Sequence, residues 1–254
     1  MRGTLTGLTG MLAAVVAGVA PPVTVCAQQG GDLQAQIVYS YETEDLNELS
    51  GLQSRLRLQV ADDAADPALR YHLAHADYRA ARLVAARQPR AAAQAAEECI
   101  EMLKPLVKAD GHNVEALILQ SRCDSALAAT GPLDAVLLRR RAAERLDEAL
   151  KLAPHNPRAL LTGALRDLDA GAADPAVRAR GLAALRAAAE LFTQGSATSP
   201  DVPGWGDGEA WVALGRELMR SGDVLGARNW IERALIASPD FRDARRARAE
   251  LAGQ

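Results

Sequence analysis

Two histidines are the first candidates for metal chemistry in this chain. His72 and His75, in the segment HLAH, lie close enough on a helix to share a metal ion. A zinc site needs at least one more protein ligand, and none is spaced here to supply it. The alternative is a polar-aromatic patch of Tyr71, His75, Tyr78 and Arg82, which suits either a protein contact or the edge of a core. The spacing favours an ordinary helix flank over a metal site.

The sequence contains no pattern typical of an enzyme's active site. It has no Gly-rich phosphate loop and no serine in a nucleophile elbow. Asp62-Asp63 and Glu97-Glu98 are pairs of adjacent residues, so on a helix the carboxylates of each pair point in different directions. Acid–base catalysis needs groups that converge on one reacting atom. We therefore predict a protein that is not an enzyme and that has no cofactor and no metal.

Two cysteines are candidates for a disulfide. Cys99 and Cys123 lie twelve residues to either side of Gly111, the centre of a helix-breaking stretch. In an antiparallel helical hairpin, residues equidistant from the turn are level with each other, and a disulfide needs Cα atoms within about 7 Å. The alternative is a pair of small, buried, unbonded side chains. An oxidising compartment favours the bond.

The first residues are predicted to be removed rather than folded. Arg2 precedes the apolar run LTGLTGMLAAVVAGVA, which is short for a membrane span. We predict a signal peptide over residues 1–27 and a periplasmic mature protein without an integral membrane span. A lipid anchor on Cys26 is the less favoured alternative, because a lipoprotein signal requires Gly, Ala or Ser where Val25 stands. Residues 28–43 show no sustained period and are predicted to be flexible.

Composition favours closely packed helices and gives no reason to expect nucleic acid as a partner. Of the 254 residues, 49% are hydrophobic but only 4% are aromatic, and alanine supplies the difference. This balance favours helices over a β-sandwich, whose strands prefer β-branched and aromatic residues. The net charge of −3 provides no basic surface for phosphates.

Residues 44–254 are predicted to form one all-α domain. Apolar residues recur at a spacing near 3.6, and no alternating, strand-like run of useful length occurs. An N-capping residue followed by proline marks several helix starts: Asp66-Pro67, Asn156-Pro157 and Asp174-Pro175. The longest irregular segment after the lead-in, 193–208, is rich in Gly, Ser and Pro and is predicted to be a loop.

One block of the sequence, residues 208–241, has the spacing of a helical hairpin. Gly215 and Ala227 are small because two antiparallel helices are expected to cross there. The block resembles a tetratricopeptide repeat (TPR) at each signature position: Trp211, Leu214, Gly215, Leu218, Ala227, Ile231, Ala234 and Pro239. The entry Trp205-Gly206-Asp207-Gly208-Glu209-Ala210 is similar to that of exported bacterial TPR proteins.

The resemblance weakens toward the N-terminus but covers most of residues 66–254. It implies four hairpins, beginning at residues 66, 113, 157 and 207, and a polar capping helix from about residue 240. The implied fold is a right-handed α-solenoid of stacked antiparallel helix hairpins.

A concave face lined by the first helices is the binding surface that the resemblance implies. The corresponding positions here are Glu209, Val212, Arg216, Met219 and Arg220 in the last repeat, and Arg122 and Arg158 in earlier ones. Arginines in such a groove can bind a partner's carboxylates through forked donors. The alternative is a solvated helix face whose arginines pair with nearby acidic residues.

Two functions of different kinds follow from this interpretation. The first is a scaffold or adaptor of the bacterial envelope that binds another protein or a peptide on the concave face. The second is a small-ligand-binding TPR component associated with a solute transporter. In the second case the 193–208 loop closes the groove, and Trp205 and Trp211 line a pocket. In the first case the groove stays open, and the tryptophans pack between hairpins.

Overall fold

The computed structural model describes residues 23–131, 134–171, 174–195 and 203–253, and the side chains from residue 33 onward. These residues form eleven α-helices and no strand. The helices are α1 (Val23–Glu42), α2 (Leu46–Asp62), α3 (Pro67–Val84), α4 (Pro89–Ala109), α5 (Val114–Ala128), α6 (Ala135–Leu152), α7 (Pro157–Ala170), α8 (Pro175–Gly195), α9 (Asp207–Arg220), α10 (Val224–Ala237) and α11 (Arg242–Ala252).

Several helices begin at a side-chain cap that the sequence predicted. The carboxylate of Asp66 accepts hydrogen bonds from the backbone N–H groups of Ala68 (2.8 Å) and Leu69 (3.2 Å). Asn156 and Asp174 cap α7 and α8 in the same way. Such caps satisfy amide groups that have no partner within the helix, and each contributes about 1 kcal/mol.

Consecutive helices pack in pairs, which confirms the predicted hairpins. The pairs are α3 with α4, α5 with α6, α7 with α8, and α9 with α10, and α11 covers the last of them. The crossing predicted at Gly215 is present, because a Cβ built there would lie 2.7 Å from Ile231 Cγ1 and 3.2 Å from the carbonyl oxygen of Ala227. The described part of the chain is therefore an all-α solenoid.

The predicted disulfide joins two of these hairpins. Cys99 on α4 is bonded to Cys123 on α5, and their Cα atoms are 6.3 Å apart. Both cysteines are completely buried, and α4 and α5 are antiparallel neighbours across the turn that contains Gly111. The bond therefore links the second helix of one hairpin to the first helix of the next.

The prediction of a flexible segment over residues 28–43 was wrong. These residues belong to α1, and Ile37 is completely buried against α2 and α3. The sequence showed no helical spacing of apolar residues here because α1 contacts neighbours on more than one side. Its buried positions therefore do not form a single apolar stripe. Residues 1–22 of the predicted signal peptide lie outside the described residues, and cleavage after residue 27 stays a prediction. Among the helices that are described, none is long and apolar enough to cross a membrane.

The solenoid curves until its two ends meet. Glu44, which follows α1, forms an ion pair with Arg246 on α11 at 2.5 Å and lies 4.0 Å from Arg242. These partners are about 200 residues apart in the sequence. The closure places side chains from the first and last hairpins on one shared inner face.

Candidate binding site on the inner face

The inner face is formed by the first helix of each hairpin. Helix α3 contacts α5, and α5 contacts α7. Glu209 at the start of α9 reaches both α3 and α5. Buried polar and aromatic residues gather there, and we refer to them as the inner-face cluster: Tyr71, His75, Tyr78, Arg79, Arg122, Arg158, Trp205 and Glu209.

Trp205 lies at the centre of the inner-face cluster. Its side chain is 1% exposed, and its indole Nε1–H donates to the hydroxyl of Tyr71 at 2.9 Å. The indole stacks on the His75 ring with centroids 5.3 Å apart and planes at 28°. Trp205 comes from the 193–208 loop, so a described part of that loop covers the inner face.

Three guanidinium groups surround the Trp205 ring. The central carbons of Arg79, Arg122 and Arg158 lie 5.5, 5.1 and 5.9 Å from the ring. Cations within about 6 Å of an aromatic face are attracted to its negative quadrupole, and more strongly so when they are desolvated. The ring therefore helps to keep three buried positive charges close together.

Gly206 sets the direction of residues 203–206, which we call the Trp205 segment. Its φ of 105° lies in the left-handed region, which glycine adopts without strain. A Cβ at this position would lie 2.9 Å from the ring of Phe192. The turn leads directly into α9, so that Trp205 and Glu209 both face the inner-face cluster.

Glu209 is the central negative charge. Its carboxylate lies 2.9 Å from Arg79 Nη1 and 3.2 Å from Arg122 Nη2. Burial by itself would raise the pKa of Glu209, but the Arg122 and Arg79 guanidinium groups outweigh this effect and hold the pKa at about 2. Glu209 is therefore ionised in the folded protein at every physiological pH.

Arg158 ties the Trp205 segment to α5. Its Nε and Nη2 both donate to the Glu115 carboxylate at 2.8 Å, and its Nη1 donates to the carbonyl oxygen of Pro203 at 2.8 Å. Such two-point pairing fixes both the position and the plane of the guanidinium. These three nitrogens of Arg158 are thus all hydrogen-bonded to acceptors of the chain itself.

Both nitrogens of His75 are occupied. Arg79 Nε–H donates to His75 Nε2 at 2.9 Å, and the Gln34 amide lies 2.8 Å from Nδ1. Because Nε2 is the acceptor, the neutral ring carries its proton on Nδ1, and Gln34 must turn its carbonyl oxygen toward that proton. Burial, reinforced by Arg79, holds the pKa of His75 well below its usual value, so the ring is neutral. His75 therefore has no nitrogen available to bind a metal together with His72.

The three arginines of the inner-face cluster outnumber the carboxylates that form ion pairs with them. Arg79, Arg122 and Arg158 carry three positive charges, whereas Glu209 and Glu115 carry two negative ones. Arg122 Nη1 is buried and has no acceptor among the described residues. A buried guanidinium donor without a partner is costly, so one more anionic group would be well accommodated beside Arg122.

The other residues expected on an open concave face have different environments. Val212 and Met219 are 1% and 7% exposed and belong to the apolar core of the last hairpin, so their assignment to an open face was wrong. Arg216 donates to Asp243 and Glu250 on α11, and Arg220 lies 2.5 Å from Glu217. These two arginines thus match the alternative of a helix face paired with nearby acids.

Arg122 and Arg158 lie on the inner face but are only 4% exposed, and their role in binding a partner stays a prediction. The sequence interpretation missed two residues of this face: Gln34, which contacts His75, and Arg79, which forms an ion pair with Glu209. Arg79 was detectable in principle, since it lies one turn after His75 on the same side of a helix. The predicted patch of Tyr71, His75, Tyr78 and Arg82 does come together, with Arg82 lying 3.4 Å from the Tyr78 hydroxyl.

Comparison with known proteins identifies the fold. No family model matches the chain, and no curated protein matches it. A thermophilic TPR protein from Thermus thermophilus is similar in structure, with a TM-score of 0.58 and 18% identity, over 90% of this chain and 100% of that one. The HusA haemophore from Porphyromonas gingivalis superposes with a TM-score of 0.62 and 21% identity, over 77% of this chain and 94% of that one. The chain thus has a TPR-like fold, an all-α solenoid of stacked helix hairpins.

Proposed function

We propose that this protein is a non-catalytic binding protein of the bacterial envelope that holds an acidic segment of another protein or peptide on its inner face. The observation that carries the proposal is the buried Nη1 of Arg122, which has no acceptor among the described residues. A TPR-like fold suits this role because stacked hairpins present one continuous surface made by their first helices.

The chain's own Glu209 indicates the kind of group that is recognised. Its carboxylate lies between Arg79 and Arg122, in a geometry that a partner's carboxylate can reproduce. A second carboxylate beside Arg122 would accept a hydrogen bond from its unpartnered Nη1. Arginine is well suited to such contacts because its planar group presents several donors in a fixed arrangement.

Binding at this position requires the Trp205 segment to move. Trp205 covers Arg79, Arg122 and Arg158, and Pro203 and Gly204 extend along the same face. The structure is then a closed form, and the apparent affinity for a partner is reduced by the cost of opening it.

A small organic ligand is the second candidate. The position of Trp205 supports it, because this residue from the 193–208 loop closes the groove as a pocket-forming loop would. The similarity to a haemophore also favours it. Such a ligand would combine an aromatic ring, to replace the indole against His75, with a carboxylate beside Arg122. Association with a solute transporter belongs to this alternative.

Export is part of the proposal. The Cys99–Cys123 disulfide supports it, since disulfides persist in oxidising compartments such as the periplasm. His75 is a buried base whose two nitrogens are both hydrogen-bonded within the chain, so in this arrangement neither is available for proton transfer with a ligand. The mature protein would then act through shape and charge alone.

Peptide binding tests the proposal directly. Fluorescence anisotropy would compare an acidic peptide bearing a free C-terminal carboxylate with its amidated, Gln-substituted counterpart. We expect the acidic peptide to bind, Trp205→Ala to strengthen binding by opening the groove, and Arg122→Gln in that background to weaken it about tenfold. Arg140→Gln, at a site 77% exposed, controls for loss of positive charge.

Two results would contradict the proposal. One is equal binding of the acidic and neutral peptides, and the other is equal binding by the Arg122 and Arg140 variants. If an aromatic carboxylic acid binds in place of the peptide and quenches tryptophan fluorescence in the wild type but not in Trp205→Phe, the small-ligand function is the correct one.

A further inference from the structure

A cavity lies away from the inner face, between α2, α3 and α4. It has a volume of about 470 Å³, within the usual range for sites that bind small molecules. We call it the Asp77 pocket, after the residue of α3 that forms its polar floor. Asp77 is nearly opposite His75 around the helix, so the pocket shares no wall with the inner-face cluster.

The lining of the Asp77 pocket combines an apolar wall with an acidic rim. Val60, Leu73 and Met102 supply the wall. Three glutamates of α4 supply the rim: Glu97, Glu98 and Glu101. With Asp77 the pocket holds four carboxylates, whereas Arg57 is the only cation among its described lining residues. Lys104, which does not line the pocket, forms an ion pair with Glu101.

Asp77 has one carboxylate oxygen without a partner among the described residues. Its side chain is 1% exposed, and its Oδ1 accepts from Gln53 Nε2 at 2.7 Å and from Arg57 Nη2 at 2.9 Å. Its Oδ2 is buried and accepts no hydrogen bond from the same part of the chain. An ionised carboxylate in this environment is costly unless a further donor reaches the second oxygen.

The excess of carboxylates around Asp77 favours a cationic donor. Burial raises the pKa of Asp77 to about 7, against the opposing effects of Arg57 and Gln53. Arg57 also binds Glu98 at 2.6 Å, so its charge is divided between two carboxylates. Within the described residues, no group of His, Cys, Asp and Glu side chains is arranged to hold a metal ion. An organic cation with an apolar stem fits both the rim and the wall.

We propose that the Asp77 pocket binds an alkylammonium group, with its nitrogen donating to Asp77 and to the rim glutamates and its methylene chain against Val60, Leu73 and Met102. Such a group is available from a free aliphatic amine or from a lysine side chain of a peptide. Both remain protonated at neutral pH, because their pKa lies near 10. The pocket would then recognise a cation while the inner face recognises an anion.

Isothermal titration calorimetry with hexylamine tests the proposal. Hexanol, which has the same stem without charge, and hexanoate, which has the opposite charge, are the matched ligands. We expect hexylamine to bind at least about tenfold more tightly than hexanol, and hexanoate not to bind. Nα-acetyl-lysine amide and a lysine-containing peptide identify the source: tighter binding than hexylamine indicates a lysine side chain, and weaker binding indicates a free amine.

Variants assign the binding to this pocket. Asp77→Asn keeps the shape of the side chain and removes its charge, and Glu98→Gln does the same at the rim; each should weaken hexylamine binding about tenfold. Glu232→Gln, at an exposed position on α10, controls for the loss of one negative charge. If Asp77→Asn does not fold, Glu98→Gln still tests the site, because its side chain is 38% exposed and lies outside the core.

The pH dependence provides a second readout. Asp77 faces Arg57 on α2 and Glu98 on α4, and with its pKa near 7 it ionises as the pH rises from about 6 to about 8. Hexylamine binding should therefore strengthen severalfold over this interval and release protons at about pH 7. The proposal is overturned if hexylamine does not bind, if hexanol binds equally well, or if Asp77→Asn and Glu98→Gln bind hexylamine as the wild type does.

Discussion

The indole N–H of Trp205 donates a 2.9 Å hydrogen bond to the hydroxyl of Tyr71, a residue 134 positions earlier in the chain. The bond connects the segment before the last hairpin to the first helix of the hairpin that begins at Pro67. It holds only because the intervening helices curve far enough to bring α3 and α9 to the same inner face. The interior of the solenoid is therefore filled by the chain itself.

Trp205→Ala should destabilise the protein by about 3–5 kcal/mol, the usual cost of removing a large buried aromatic side chain. The loss also removes the ring that lies among Arg79, Arg122 and Arg158. Urea unfolding followed by circular dichroism measures the effect. Trp205→Phe keeps one six-membered ring but loses part of the packed volume and the hydrogen bond to Tyr71, so it should cost less than Trp205→Ala, about 1–3 kcal/mol. Equal stability of Trp205→Ala and wild type would show that the inner face is not closed by this residue.

Gly215→Ala should destabilise the last hairpin by about 1–3 kcal/mol through overpacking. The new methyl group would meet Ile231 and the backbone of Ala227 across the crossing of α9 and α10. Gly51→Ala is the matched control, because Gly51 is exposed on α2 and a Cβ there meets nothing within 4 Å. That change should stabilise the protein by about 0.5–1 kcal/mol through helix propensity. Opposite shifts of the two unfolding midpoints are the expected result, and shifts of the same sign would mean that the crossing is misplaced.

Removing the disulfide should lower the free energy of unfolding by about 2–4 kcal/mol. The test is the double variant Cys99→Ala, Cys123→Ala, in a chain beginning at residue 28 so that Cys26 is absent. Both cysteines are fully buried, and alanine fits in their place with little repacking. Thiol titration of the denatured, unreduced wild type should detect no free thiol, and Cys123→Ala alone should release one. Two titratable thiols in the wild type would disprove the bond.

Glu42→Gln should change how stability depends on pH. Burial raises the pKa of Glu42 from 4.5 to about 7, a shift that a hydrogen bond from Ser238 opposes and nearby Asp207 increases. Because the folded pKa is the higher one, the stabilising effect of the protonated carboxyl is fully present below about pH 4.5 and is lost as the pH rises through about 7. The variant should gain stability relative to wild type by on the order of 2 kcal/mol between about pH 5 and about pH 8.

Urea unfolding at four pH values spanning about pH 5 to about pH 8 measures this difference. Glu232→Gln, exposed on α10, controls for the loss of one negative charge. Asp77 is present in both wild type and variant, so its own ionisation cancels in the comparison. A difference between wild type and Glu42→Gln that does not vary with pH would contradict the assigned environment of Glu42.

The helix hairpins could be predicted because their signals are local. Asp66 and Asn156 cap helices through amide groups two or three residues away, and Gly215 and Ala227 meet within one hairpin. Even the pairing of Cys99 with Cys123 depends on a single turn. Each of these features involves residues close in sequence, where spacing and side-chain type are enough to define the geometry.

The inner face could not be predicted in the same way. Periodicity distinguishes the apolar side of a helix from its polar side, but it does not reveal whether a distant segment covers the polar side. Arg122 and Arg158 therefore looked like surface residues, and α1 looked like a flexible lead-in, although Gln34 on that helix contacts His75.

Local patterns of residues were thus sufficient to define an all-α chain of TPR-like hairpins, the starts of its helices and the pairing of its cysteines. The closure of the groove, with Trp205 among three arginines and Glu44 against Arg246, depends instead on how the hairpins pack together. Each hairpin is rotated slightly relative to the one before it, and the contacts between them set the size of that rotation. The curvature of the whole stack is the sum of these rotations. Because that sum brings the two ends of the chain together, no single stretch of residues encodes the closed inner face.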